Sequence, residues 1–175
     1  MLKIILIVIA VLVAVVLILA ALKPNVFRVE RGIRIKAAPE KIFALINDFN
    51  RWRAWSPWEK MDPALQRKYS GPPSGKGSVY EWTGNNKVGQ GRMEITDSSP
   101  SSRVAIKLDF LKPFEAHNTA DFVLVPQGDE TAITWTMQGP ASFPVKIMHL
   151  FFNMDRLVGK DFEAGLASMK EIAEQ

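Results

Sequence analysis

The side chains able to do chemistry in this 175-residue sequence are few and scattered. There is no cysteine, which excludes a thiol nucleophile, a thiolate zinc site, an iron–sulfur cluster and a disulfide framework. The two histidines, His117 and His149, lie far apart. Glu115 and Asp121 share the strand phase of His117, but a strand trio of that kind is ordinarily solvated, so no metal site is expected. Glu81, Glu94, Asp109 and Asp121 alternate with apolar neighbours, as the outer face of a sheet requires. Tyr69 and Tyr80 are able to donate a hydrogen bond to a ligand carbonyl, though nothing in their spacing requires it. Gly84 to Gly91 is glycine-rich, but strands flank it on both sides and no phosphate-binding helix follows, so it reads as a hairpin. No cofactor is implied.

The stronger pattern is apolar. Val104, Ile106, Leu108 and Phe110 fall on one strand face, as do Ile133, Trp135 and Met137, with Phe122 and Leu124 between them. Trp82, Phe110, Trp135, Met137, Met148, Phe151 and Met154 together form a bulky, adaptable set suited to an apolar ligand, whereas each taken singly suits a solid core equally well. Trp52, Trp55 and Trp58 lie within seven residues, beside Pro57. Three tryptophans so close together suit a gate at a cavity mouth or an anchor at the membrane–water boundary, or else a packed helix–strand corner.

Elements to position these groups follow from periodicity. Phe27, Val29, Ile33 and Ile35 alternate with Arg28, Glu30, Arg34 and Lys36, which makes a half-buried strand. Ala38-Pro39-Glu40 opens a helix whose apolar stripe is Ile42, Phe43, Ile46 and Phe49. Strands are expected at 66–70, 78–83, 89–96, 103–110, 116–125 and 131–137, joined by short turns into an antiparallel meander. A single long helix is expected over 144–174, with a stripe through Ile147, Leu150, Phe151, Met154, Leu157, Val158, Phe162, Leu166, Met169 and Ile172.

Ahead of all this, residues 1–22 contain only one non-apolar side chain, Lys3, and Ile4 to Leu22 is an unbroken apolar run of 19. At about 1.5 Å per residue it matches a bilayer core of about 30 Å, and it exceeds the ~7–15 apolar residues of a signal peptide. The expected organisation is therefore a transmembrane anchor over 1–23 and one domain over 24–175. Without the first segment the hydrophobic content falls from 47% to about 40%, an ordinary soluble composition. Setting Lys3 and Lys23 aside reduces the net charge from +4 to +2, too balanced for a nucleic-acid binder. Lys23, Arg28, Arg31, Arg34 and Lys36 follow the span, and their count favours a single-pass protein with its domain on the cytoplasmic side, while several of them fall in a strand and the short leading tail with Lys3 suits the opposite, N-in orientation.

The order strand, helices, antiparallel strands, long C-terminal helix resembles the START and birch-pollen-allergen-like helix-grip superfamily, also called SRPBCC, in its polyketide cyclase/dehydrase and lipid-transport branch. The resemblance spans about Val26 to the C-terminus. It is carried by Ala38-Pro39-Glu40-Lys41-Ile42-Phe43, Trp55-Ser56-Pro57-Trp58, Tyr80-Glu81-Trp82-Thr83-Gly84-Asn85, Val88-Gly89-Gln90-Gly91, Lys112-Pro113-Phe114-Glu115, Thr134-Trp135-Thr136 and Gly159-Lys160-Asp161-Phe162-Glu163. The resemblance implies an α+β helix-grip fold, a curved antiparallel sheet wrapped around a long C-terminal helix, and a cavity for an apolar ligand. It carries no shared catalytic signature. The expected function is membrane-anchored binding, or transport, of a lipid-like molecule. The alternatives are a cyclase or dehydratase on the same fold and a protein-interaction module.

Overall fold

A computed structural model describes residues 1–175. Seven strands form one antiparallel sheet in the order β1-β7-β6-β5-β4-β3-β2. They are β1 (Val26–Ile35), β2 (Gln66–Ser70), β3 (Val79–Thr83), β4 (Gln90–Ser99), β5 (Arg103–Lys112), β6 (Ala116–Gln127) and β7 (Glu130–Pro140). β1 reaches the far edge by pairing with β7, from Val26↔Pro140 to Ile35↔Thr131, while β2 to β7 run as a meander. The helices are α1 (Leu2–Ala21), α2 (Pro39–Ile46), α3 (Trp52–Trp55), α4 (Phe143–Phe151) and α5 (Met154–Ala173), with 3-10 turns at Phe49–Arg51 and Pro57–Lys60. This is the expected α+β helix grip, preceded by an apolar helix.

β4 to β7 run longer than the alternation alone indicated, while β2 keeps its expected bounds and β3 starts one residue later. β4 continues to Ser99 through an irregularity between Ile95 and Asp97, so the turn shrinks to the residues around Ser101, which takes a positive φ of 57°. The expected C-terminal helix is two helices. Phe152 leaves helical geometry, and the Asn153 side chain accepts from the Arg156 backbone N–H at 2.9 Å, starting α5 afresh. An asparagine two residues before an acid is a helix-start signal, and it overrides the continuous apolar stripe.

Alternation places Val29, Ile35, Ile106, Phe122, Leu124 and Ile133 in a core shared with Ile42 and Ile46 of α2 and Phe162, Leu166 and Met169 of α5. Arg31 lies in the inward phase of β1, and it holds α5 to the sheet. Its guanidinium donates to Glu163 at 2.7 Å and to Asp155 at 2.9 Å. Gly159 makes room for it, since a Cβ there would lie 2.0 Å from the Arg31 Nη2.

Trp52, Trp55 and Trp58 do not form an interfacial anchor. Trp52 and Trp55 are buried, and their indole N–H groups donate to the Ile46 and Leu45 carbonyls, both at 2.9 Å. The two rings satisfy the last carbonyls of α2 and fill the corner between that helix and the sheet, leaving Trp58 half-buried beyond it.

Candidate functional site

Between the sheet and α5 lies a cavity of about 250 Å³ whose lining is mostly hydrophobic. An apolar cavity of ~150 Å³ already holds benzene, so this space takes a molecule larger than a single ring. The sheet supplies Tyr80 and Trp82 from β3, Met93 from β4, Leu108 and Phe110 from β5, Ala120 from β6, and Trp135 and Met137 from β7. α5 contributes Val158, Asp161 and Phe162, and the segment after α2 contributes Trp52, Ser56, Trp58, Glu59 and Leu65. Lys87 and Val88 come from the β3–β4 hairpin.

The register explains why these side chains converge. Tyr80 and Trp82 face the same way on β3 and pair with Met93 and Gly91 of β4. Gly91 is small so that the Trp82 ring lies across it, because a Cβ there would sit 2.4 Å from the ring. Trp82 then meets Phe110 edge-on, with ring centroids 5.9 Å apart. Trp135 stacks on Phe162 at 3.9 Å and 4°, so this wall is a sheet aromatic locked against a helix aromatic. The Trp135 indole N–H is buried with no hydrogen-bond partner, and packing alone holds the ring.

Of the residues chosen from sequence, Trp82, Phe110, Trp135 and Met137 line the cavity. Met148, Phe151 and Met154 do not. The break at Asn153 takes Met148 and Phe151 onto α4, which packs on α1, and Phe151 is exposed. Met154 opens α5 outside the lining, half-buried. Sequence reasoning missed Leu65, Met93 and Ala120, whose types carry no signal; of the two tyrosines it named as possible hydrogen-bond donors to a ligand, Tyr80 lines the cavity and Tyr69 does not.

The polar lining is mostly engaged. The Glu59 carboxylate accepts from the Tyr80 hydroxyl at 2.6 Å and from the Arg67 Nε at 2.6 Å. Burial, reinforced by that hydrogen bond to a carboxylate, raises the Tyr80 phenol well above its ordinary range, so it stays protonated. Asp161 differs. No cation lies within ion-pair distance of its carboxylate, and burial raises its proton affinity.

The histidines lie elsewhere. His117 makes a 2.7 Å contact through Nδ1 with Asp109, not with Asp121, which instead accepts from Arg103 at 2.7 Å. Asp109 is accordingly more buried than an outer-face carboxylate was expected to be. The hydrogen bond to Asp109 raises the His117 pKa, whereas burial, aided by Lys23, lowers that of His149. The two imidazole resonances should therefore titrate on opposite sides of the ordinary value of about 6.5 in an NMR pH series. A group raised on folding stabilises fully below its unfolded pKa, so the His117 contribution is lost as pH rises through its folded midpoint. Midpoints in the reverse order would refute the Asp109 pairing. No group of three or more histidine, aspartate or glutamate side chains is placed to hold a metal ion.

A curved sheet gripping a long helix over an apolar cavity defines the helix-grip class. Over residues 26–174 the chain belongs to the polyketide cyclase/dehydrase and lipid transport family. Solved structures share the fold at low identity. The protein CV1439 from Chromobacterium violaceum is 14% identical with a TM-score of 0.60, covering 87% of this chain and 99% of its own. The Aha1 dimer from Colwellia psychrerythraea is 17% identical with a TM-score of 0.60, covering 85% and 96%. The di-domain ARO/CYC StfQ of the steffimycin biosynthetic pathway is 12% identical with a TM-score of 0.63, covering 86% of this chain and 51% of its own, so this chain spans about half of it. No curated protein matches the sequence.

Proposed function

We propose that this protein is a membrane-anchored receptor for an apolar, lipid-like ligand, which it binds in the cavity beneath α5 without converting it. The observation that carries this reading is a cavity of about 250 Å³ with 14 of its 18 lining residues hydrophobic. Burying ligand surface there is favourable by about 25 cal/mol per Å². The anchor is α1, 20 residues that are almost all exposed and that include an 18-residue stretch of mean hydropathy 3.7. A helix of that length spans a bilayer core, and the basic residues after it favour a cytoplasmic domain. Native mass spectrometry of residues 24–175 tests the reading. It expects one co-purified or added lipid per chain, and a chain that stays empty with every lipid offered would sink it.

Asp161 favours a second reading, a cyclase or dehydratase in which this carboxyl serves as a general acid. Its raised proton affinity and its place in the lining are what that chemistry requires. Binding is the better reading because the other lining carboxylate, Glu59, is already saturated by Tyr80 and Arg67. Asp161→Asn should leave lipid stoichiometry unchanged if the protein only binds. Turnover of a bound lipid that this substitution abolishes would establish the enzyme instead.

A further inference from the structure

Part of the cavity wall and the membrane helix lie at the same end of the sheet. β1 leaves the Lys23-Pro24-Asn25 linker paired with the end of β7, Val26↔Pro140. The Ala141 N–H donates to the Asn25 carbonyl at 2.8 Å, and Lys146 of α4 donates to the Asn25 side chain at 2.6 Å. At that end β5 finishes beside the start of β6, Phe110↔Ala116, and Lys112 pairs with Gln90 at the start of β4. The β3–β4 hairpin, the 111–115 loop, α4 and the start of α5 therefore gather where the anchor emerges. Lys87, Val88, Phe110, Val158 and Asp161 of the cavity wall belong to this end.

These same segments carry apolar side chains left largely exposed. Phe114 is 77% exposed, Phe151 69%, Phe152 57% and Leu157 55%. A soluble surface rarely concentrates such side chains, and a patch of this kind marks an interaction site. Its partner is indicated by α1. That helix is exposed along its length except at Val16, half-buried, and Ala20, buried, which are four residues apart on one face. α4 packs against this helix. Val16 lies about 9 Å of helix rise from Leu22, so α4 lies alongside the last turns of the spanning segment rather than below it. Around the patch Lys23, Lys87, Lys112 and Arg156 are exposed, and none has a carboxylate within ion-pair distance. Cations flanking exposed phenylalanines suit anionic headgroups over an acyl boundary.

We infer that α4, the α4–α5 junction and the 111–115 loop form a platform embedded in the lipid interface, holding that part of the cavity wall against the bilayer. The inference rests on the reading of α1 as a membrane span. A ligand then passes between bilayer and cavity without crossing water.

Because the chain has no cysteine, single cysteines report position directly. Full-length Phe114→Cys, Phe151→Cys, Leu157→Cys, Val11→Cys and Asp129→Cys proteins, each nitroxide-labelled, are reconstituted into phosphatidylcholine–phosphatidylglycerol vesicles. Collision of each label with oxygen and with a water-soluble nickel chelate is then measured by electron paramagnetic resonance. Val11 reports the span, and Asp129, in the turn at the opposite end of the sheet, reports water. Labels at 114, 151 and 157 should show an oxygen-to-nickel ratio severalfold above that at 129, approaching that at 11. A ratio at all three equal to that at 129, with 11 in lipid, overturns the platform and leaves the anchor standing. Labels shielded from both reagents show a protein partner on the patch and overturn it too. A water-exposed label at 11 removes the span and the platform together.

Discussion

Ala120→Phe should weaken ligand binding by roughly sixtyfold while the protein stays folded. Ala120 is buried on β6, pairs with Ile106 on one side and Met137 on the other, and faces the cavity. A benzyl group there projects into empty space rather than into neighbouring side chains, so the usual overpacking cost of about 1–3 kcal/mol should largely be avoided. If the ring excludes about 100 Å² of ligand surface, roughly 2.5 kcal/mol of burial is lost. That corresponds to roughly sixtyfold in affinity. Thr119→Phe, one residue away and exposed on the other face, is the control and should bind normally. Lipid stoichiometry by native mass spectrometry and thermal unfolding of residues 24–175 read the two effects separately. Undiminished binding by Ala120→Phe would place the ligand outside the cavity, whatever the stability change.

This prediction depends on residues that are unequally legible in sequence. Strict alternation on β5 and β7 exposes Phe110, Trp135 and Met137 as inward-facing, because one buried sheet face imposes a period of two. The same period hides Ala120, since an alanine marks a space only when its cross-strand neighbours are known. Met148 and Phe151 mislead for a different reason. Their helical spacing continues into that of Leu157 and Phe162, and periodicity is blind to the turn at Phe152-Asn153 that puts them on α4, outside the cavity. Arg31 shows the converse, a charge in the inward phase of an apolar strand. Such a mismatch signals a buried-side partner, and the partners, Asp155 and Glu163, come from an element more than 120 residues away. Long-range pairings of this kind decide how α5 seats, and hence the size of the cavity.

The largest loss of stability is expected from Trp55→Ala. Trp55 is fully buried, its N–H satisfies the Leu45 carbonyl at 2.9 Å, and its ring lies 4.7 Å from Trp52 and 5.6 Å from Trp135. Removing a buried tryptophan costs about 3–5 kcal/mol. Leaving a helix-end carbonyl without its donor adds to that. The loss is a large part of the ~5–15 kcal/mol that holds a domain together. Trp55→Phe keeps an aromatic ring in the corner and should recover much of the loss. Trp58→Ala should cost only about 1–2 kcal/mol, because Trp58 is half-buried and already borders empty space beside Trp135 and Phe162. Its effect should fall on ligand affinity instead, since it forms part of the wall. Urea unfolding followed by circular dichroism ranks the three. Equal costs for Trp55→Ala and Trp58→Ala would mean that the tryptophan segment acts as one unit, and that its division into a structural corner and a ligand wall is wrong.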